Sequence, residues 1–90
     1  MATIFRRVRV ADYQRFRDVY DAATEAREAG GFLNERLFRN PNDPNDILIM
    51  STVDDIERAR AYGQSHEVRE RQRASGLLEL SHYYPDPSQP

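Results

Sequence analysis

Apolar and polar residues repeat with two different periods along the chain, and the change of period divides its first half into three elements. Residues 3–10 are rich in β-branched and apolar types, which predicts a strand. Asp12 can then cap a helix that carries an apolar stripe to about Ala29, where a pair of glycines ends it. Strict alternation over residues 32–38 predicts a second strand, with Phe32, Asn34, Arg36 and Phe38 on one face.

The second half of the chain predicts a loop followed by a strand, two helical segments and a last strand. Residues 39–46 hold two prolines among Asn and Asp residues and predict a loop. The unbroken apolar run at residues 47–50 predicts a strand that is buried on both faces. Asp54 and Glu57 resemble a capping box before a helix over residues 55–62, and Ser65 can cap a second helical segment to about residue 75. Residues 77–84 predict the last strand.

The order strand, helix, strand, strand, helix, strand predicts an α+β, ferredoxin-like βαββαβ domain over residues 1–84. In this fold a four-stranded antiparallel sheet has its helices on one face. The other face is bare, so we expect a homodimer through that open sheet face. A charge on a central strand needs a partner, and we therefore expect Arg7 at the dimer seam near Glu79 or Glu35. The Pro-rich residues 85–90 predict a loose tail.

Composition narrows the class of protein further. The net charge of −2 argues against nucleic acid and anionic lipid as partners. All thirteen basic residues are arginine, so no lysine can form a Schiff base. The chain has no cysteine and no apolar run of membrane-spanning length, and we expect a cytoplasmic protein without a membrane partner. RNA-recognition domains share this element order, but the third strand here carries no aromatic or basic residue for an RNA.

The two histidines are the candidate acid–base groups because they alone change charge near neutral pH. His66 follows Ser65 at a predicted helix start, where a neutral imidazole is favoured; the alternative is an exposed histidine without a role. His82 lies in phase with Leu78, Leu80 and Tyr84 on the last strand. That phase directs it either into a helix-covered pocket or to the dimer seam. The histidine spacing does not predict a metal site.

Aromatic and polar residues supply the candidate ligand contacts. Tyr13, Tyr20 and Tyr62 lie on the predicted helices and combine an apolar ring with a hydroxyl, although each can equally be core. Asn34 and Arg36 would orient a ligand if their face of the strand meets the helices, and would otherwise meet solvent. Tyr84 joins this set through its phase with His82.

Several segments, in their order and spacing, resemble the dimeric α+β barrel superfamily, in its branch of small antibiotic biosynthesis monooxygenase-like "cyclase" domains. They are residues 10–16, 20–21, 27–30, 36–44, 55–62, Ser65 and 74–76. The resemblance implies two sheets packed face to face and a small-molecule pocket between each sheet and its helices. It also implies chemistry on a phenolic polyketide without flavin or metal, for which such enzymes use a Trp and an Asn with a Tyr or His nearby.

The chain has no Trp, which counts against oxygenation more than against cyclisation. Two hypotheses follow. The first is a cofactor-free monooxygenase or cyclase that acts on an aromatic or polyketide-like intermediate of secondary metabolism, with His66 or His82 as the base. The second is a non-catalytic dimer that binds a small molecule or serves in assembly.

Overall fold

The computed structural model describes residues 1–88, which form four strands and four helices. They are β1 (Ala2–Val10), α1 (Tyr13–Ala22), α2 (Thr24–Ala29), β2 (Phe32–Asn40), β3 (Asp43–Val53), α3 (Ile56–Gly63), α4 (His66–Ala74) and β4 (Leu77–Tyr83). The strands form one antiparallel sheet in the order β2-β3-β1-β4. The predicted α+β, ferredoxin-like class is confirmed. Within residues 1–88, no helix is both long and apolar enough to cross a bilayer.

The helix starts follow the capping rules, with one correction. Asp12 accepts a hydrogen bond from the Arg15 amide at 2.9 Å, and Ser65 caps α4. At α3 the cap is Asp55, which accepts from the Glu57 amide at 2.9 Å, so the capping box predicted at Asp54 is wrong. The first predicted helix is also divided, because α1 ends before Ala23 and α2 begins after it.

The predicted loop over residues 39–46 is wrong, since most of it is strand. β2 continues to Asn40 and β3 begins at Asp43, which leaves a two-residue turn. The Asn40 side chain accepts from the Asn42 amide at 2.9 Å, and this local bond stabilises the turn. Pro44 is accommodated because pairing between β3 and β1 ends at Asp46, so a proline there removes no bond to β1.

The helix-covered face of the sheet carries two separate groups of buried residues. The first contains Val8, Val10, Phe16, Tyr20, Ile47 and Ile49. The second contains Ile4, Phe32, Val53 and Ala59. Ile4 and Val8 both lie on β1, two residues on either side of Arg6, so this strand links the two groups. The gap between the groups is where the candidate site lies.

The opposite face of the sheet is open and partly apolar. Phe38, Leu48 and Tyr83 are 43%, 37% and 54% exposed. Arg7 lies on this face, but its predicted partners are wrong: it donates two hydrogen bonds to Asp46, at 2.9 and 2.7 Å. Arg7 and Asp46 lie on adjacent strands, with Asp46 directly opposite Arg9, so the carboxylate is within reach. The hydrogen bonds that Asp46 accepts from Arg7 and from Asn40 lower its pKa to about 2.

Candidate functional site

A cavity of about 320 Å³ lies between the sheet and the helices, in the gap between the two core groups. Its apolar walls come from both layers. The sheet contributes Ile4, Val8, Ile49 and Leu80, and the helices contribute Phe16, Val19, Ala59 and Val68. Small-molecule sites are typically concave and apolar with a few converging polar groups, and this cavity has that composition.

The polar groups at one wall are organised around Glu35. Its carboxylate accepts from Arg27 Nε at 2.5 Å, from Arg6 Nη2 at 2.6 Å and from Ser51 Oγ at 2.9 Å. Burial raises the pKa of Glu35, but the hydrogen bond from Arg27 and the charge of Arg6 outweigh burial and leave that pKa below its usual value. Glu35 is therefore ionised and holds both guanidinium groups in place.

Tyr20 lies beside this cluster and lines the cavity, with its hydroxyl buried near the Glu35 carboxylate. The residue is only 7% exposed, and the Arg27 guanidinium lies 3.5 Å from the centre of its ring. Within residues 1–88 its hydroxyl has no hydrogen-bond partner. Burial, with the neighbouring Glu35 carboxylate, raises the pKa of Tyr20 to about 12. The hydroxyl therefore remains protonated at neutral pH and can donate a hydrogen bond.

His82 also lines the cavity, from β4. It pairs in register with Arg6 of β1, so both side chains face the helices. Burial, together with the positive charges of Arg6 and Arg60, lowers the pKa of His82. Its ring stacks on Tyr84 with centroids 6.0 Å apart. His82 is thus a neutral imidazole near pH 7, which is the form that can accept a proton.

The opposite wall is formed by α3, α4 and the turn between them. Arg71 donates a hydrogen bond to the Tyr62 hydroxyl at 3.0 Å, and Arg60 lies 5.6 Å from the centre of the Tyr84 ring. Tyr62 packs against Phe32 at the base of the cavity, with ring centroids 5.5 Å apart. Gly30 is required below Tyr62, because a Cβ there would lie 2.8 Å from the Tyr62 ring.

Four of the eight residues predicted from sequence line the cavity: Tyr20, Tyr62, His82 and Tyr84. The sequence left open whether His82 faces the helix-covered pocket or the dimer seam, and in the structure it faces the helices. His66 is exposed at the start of α4 and does not line the cavity. Tyr13 packs against the first core group, with the Arg39 guanidinium 3.6 Å from its ring centre.

Asn34 and Arg36 are not part of the cavity lining, and the prediction that Phe32, Asn34, Arg36 and Phe38 share one face is wrong. Asn34 has a positive φ of 52° and lies where the pairing of β2 with β3 shifts, between Leu33 and Arg36. This bulge adds one residue to β2 and reverses the alternation after it. Glu35 consequently joins Phe32 on the helix-covered face, while Arg36 lies with Phe38 on the open face.

The sequence-based prediction did not include the charged residues of the site, which are Arg6, Arg27 and Glu35 at one wall and Arg60 and Arg71 on the helices. Arg6 alternates with Ile4 and Val8, so its face could have been predicted. Arg27 is seven residues after Tyr20 and shares its helical face, which is also visible in the sequence. Glu35 gave no such signal, because its position depends on the bulge. Within residues 1–88, no group of His, Asp and Glu side chains could hold a metal ion.

The chain folds as an α+β domain with a cavity between its sheet and its helices, and several solved structures are similar to it along nearly the whole chain. An antibiotic biosynthesis monooxygenase superposes with a TM-score of 0.74 at 10% identity, covering 99% of this chain and 100% of the other. The cofactor-independent oxygenase SnoaB from Streptomyces nogalater has a TM-score of 0.72 at 22% identity, covering 99% and 94%.

A third structure, described as a putative antibiotic biosynthesis monooxygenase from Caulobacter crescentus, has a TM-score of 0.70 at 16% identity, covering 97% and 89%. No family model and no curated protein matches the sequence. The chain therefore has the fold of the antibiotic biosynthesis monooxygenase-like proteins, and the resemblance inferred from its sequence is confirmed at the level of the fold.

Proposed function

We propose that this protein is a cofactor-free enzyme that acts on an aromatic or polyketide-like compound in the cavity between its sheet and helices. The observation that carries the proposal is a neutral His82 on the wall of an apolar cavity, facing the helices beside the positively charged Arg6. The likeness in fold to a cofactor-independent oxygenase supports the same class of chemistry.

The proposed first step is removal of a proton from a phenol or an activated methylene by His82. The resulting phenolate or enolate is stabilised by the positive charge of Arg6, which lines the same cavity. The anion can then attack a carbonyl of the same molecule, which is a cyclisation. It can instead react with O₂, so that a methylene becomes a carbonyl and water is released. His66 is exposed away from the cavity, so His82 is the better candidate for the base.

The experiment measures oxygen consumption and product formation with phenolic polyketide analogues for the native protein and for His82→Gln. We expect the variant to lose about 100-fold in rate, as is typical when a general base is removed. The rate of the native protein should fall as the pH is lowered, with a midpoint below pH 6.5, because protonated His82 cannot accept a proton and its pKa is lowered from that of a free imidazole.

His66→Gln is the matched control and should retain the native rate. Product without oxygen consumption would identify cyclisation. If the analogues bind without turnover, the second hypothesis replaces the first: the domain binds a small molecule without catalysis. An unchanged rate in His82→Gln would contradict the proposed role of His82.

The proposed functional unit is a homodimer formed through the open sheet face. Phe38, Leu48 and Tyr83 on that face are exposed in a single chain, and a second copy would remove them from water. Two arginines around them are already paired within the chain, Arg7 with Asp46 and Arg9 with Glu79, and the Arg36 guanidinium lies against the Phe38 ring. Two such faces can therefore meet without leaving these charges unpaired.

A further inference from the structure

The cavity lining carries positive charge without negative charge. Among residues 1–88 it contains four arginines and neither Asp nor Glu. Two of the four, Arg6 and Arg27, share the Glu35 carboxylate. The other two, Arg60 on α3 and Arg71 on α4, form no ion pair with Glu35. A ligand in the cavity therefore meets a positive potential, which is stronger in mostly apolar surroundings than in water and favours an anion.

Arg60 and Arg71 are accessible to a ligand and are only weakly paired within the chain. Their side chains are 53% and 34% exposed. The nearest carboxylates are on their own helices, with Glu57 at 3.7 Å from Arg60 and Glu67 at 3.6 Å from Arg71. Neither distance is short enough for a hydrogen bond, and solvent screens both pairs because the two glutamates are exposed. A ligand carboxylate can therefore replace these contacts.

Both arginines are nevertheless held at the cavity by neighbouring aromatic residues. Arg71 Nη1 donates a hydrogen bond to the Tyr62 hydroxyl at 3.0 Å, and the Arg60 guanidinium lies 5.6 Å from the centre of the Tyr84 ring. Tyr62 and Tyr84 line the cavity themselves. Neither contact is with a carboxylate, so each guanidinium is oriented while its charge remains available.

We propose that Arg60 and Arg71, on the helix wall of the cavity, bind a carboxylate group carried by the aromatic ligand. The planar guanidinium group matches a carboxylate, because it can donate two parallel hydrogen bonds to the two oxygens. A carboxylate is ionised at neutral pH before any reaction, whereas a phenol is neutral at that pH. A phosphate monoester carries nearly twice the charge and costs more to bring into a mostly apolar cavity.

This inference rests on the proposed function for the location of the ligand, and it narrows the substrate class to aromatic acids. The test compares three probes with the same ring system, 2-naphthoate, 2-naphthol and 2-naphthyl phosphate, by calorimetric titration. We expect the native protein to bind 2-naphthoate at least about tenfold more tightly than 2-naphthol, which corresponds to one charge-assisted contact. It should also bind 2-naphthoate more tightly than 2-naphthyl phosphate.

The variants Arg60→Gln and Arg71→Gln should each weaken 2-naphthoate binding by about five- to tenfold and change 2-naphthol binding less than about twofold. Arg69→Gln is the matched control for the loss of one positive charge, since Arg69 is on α4 but is exposed and outside the cavity lining. It should bind the probes as the native protein does. Circular dichroism establishes that each variant is folded. Arg60→Gln tests the site even if the loss of the bond to Tyr62 destabilises Arg71→Gln, because Arg60 is exposed.

Each other outcome contradicts the inference in a distinguishable way. Equal affinity for 2-naphthoate and 2-naphthol would overturn the carboxylate site and leave the proposed function standing. Tighter binding of 2-naphthyl phosphate would overturn the choice of a carboxylate. A preference for 2-naphthoate that is unchanged in both Arg60→Gln and Arg71→Gln would place the anion elsewhere and overturn the assignment to the helix wall. If none of the probes binds, both this inference and the proposed function fail.

Discussion

At the scale of single residues, two of the three cavity tyrosines differ in what their hydroxyls contact. The Tyr62 hydroxyl accepts from Arg71 at 3.0 Å, whereas the buried Tyr20 hydroxyl has no partner within residues 1–88. A buried polar group without a hydrogen-bond partner lowers the stability of a protein, because the group has lost its bonds to water. The Tyr20 hydroxyl should therefore lower the stability of the ligand-free protein.

We predict that Tyr20→Phe raises the free energy of unfolding of the ligand-free protein by about 0.5–1.5 kcal/mol, because it removes an unpaired buried hydroxyl. Tyr62→Phe is the matched control and should lower the same quantity by about 0.5–1 kcal/mol through the lost hydrogen bond. Urea denaturation of both variants measures these changes. A destabilised Tyr20→Phe would indicate that the hydroxyl already has a partner in the free protein.

At the scale of elements, the bulge in β2 decides which side chains reach the cavity. Asn34 adopts a left-handed conformation at the point where the register shifts, and the shift turns Glu35 towards Arg6 and Arg27. Without the extra residue, Glu35 would face away from the helices and both arginines would lose their shared carboxylate. The charge arrangement of the site therefore depends on one backbone conformation.

Substitutions at Asn34 should follow the demands of that conformation. Asn34→Val should lower the free energy of unfolding by about 1–2 kcal/mol, because a β-branched residue is disfavoured at positive φ. Asn34→Gly should be neutral or slightly stabilising, since glycine adopts this conformation without strain. Chemical denaturation of the two variants provides the measurement. Equal stability of both would mean that the bulge is not held at this position.

The element order, the sheet and most helix starts could be predicted from the sequence, because they depend on local periodicity and capping residues. Asp12 and Ser65 cap the helices as expected. The faces of β2 could not be predicted beyond Leu33. The one-residue bulge leaves no mark in the alternation of apolar and polar residues, yet every side chain after it lies on the opposite face from the one that the alternation predicts. Likewise, the Asn and Pro residues after Arg39 predicted a long loop. In the structure the Asn40 side chain accepts a hydrogen bond from the Asn42 amide, and a turn of two residues is enough to connect β2 and β3.

At the scale of the whole molecule, half of the sheet surface is covered by helices and the other half is open. The central part of the open face holds Phe5, Leu48 and Met50 on the two middle strands, with Phe38 and Tyr83 at the edges. Apolar residues in one continuous area of a small domain are typical of an interaction surface. The proposed occupant is a second copy of the chain.

We predict that sedimentation at micromolar concentration gives twice the chain mass of 10.5 kDa for the native protein and the single-chain mass for Leu48→Glu. The substitution places an unpaired charge at the centre of the proposed interface. Ala61→Glu is the control, because it adds the same charge at an exposed position of α3. A native protein that sediments as a folded monomer would contradict the proposed dimer, although the cavity lies within one chain and would remain.

The central claim is that the cavity between the sheet and the helices is a small-molecule site. It is tested most directly by titrating 2-naphthoate into protein labelled at its methyl groups and following the NMR spectrum. The account predicts saturable shifts of the Val8, Val19, Val68 and Leu80 methyl signals, all of which line the cavity, with Leu48 on the open face unaffected. Shifts confined to the open face, or no saturable shift at the cavity methyl groups, would contradict it.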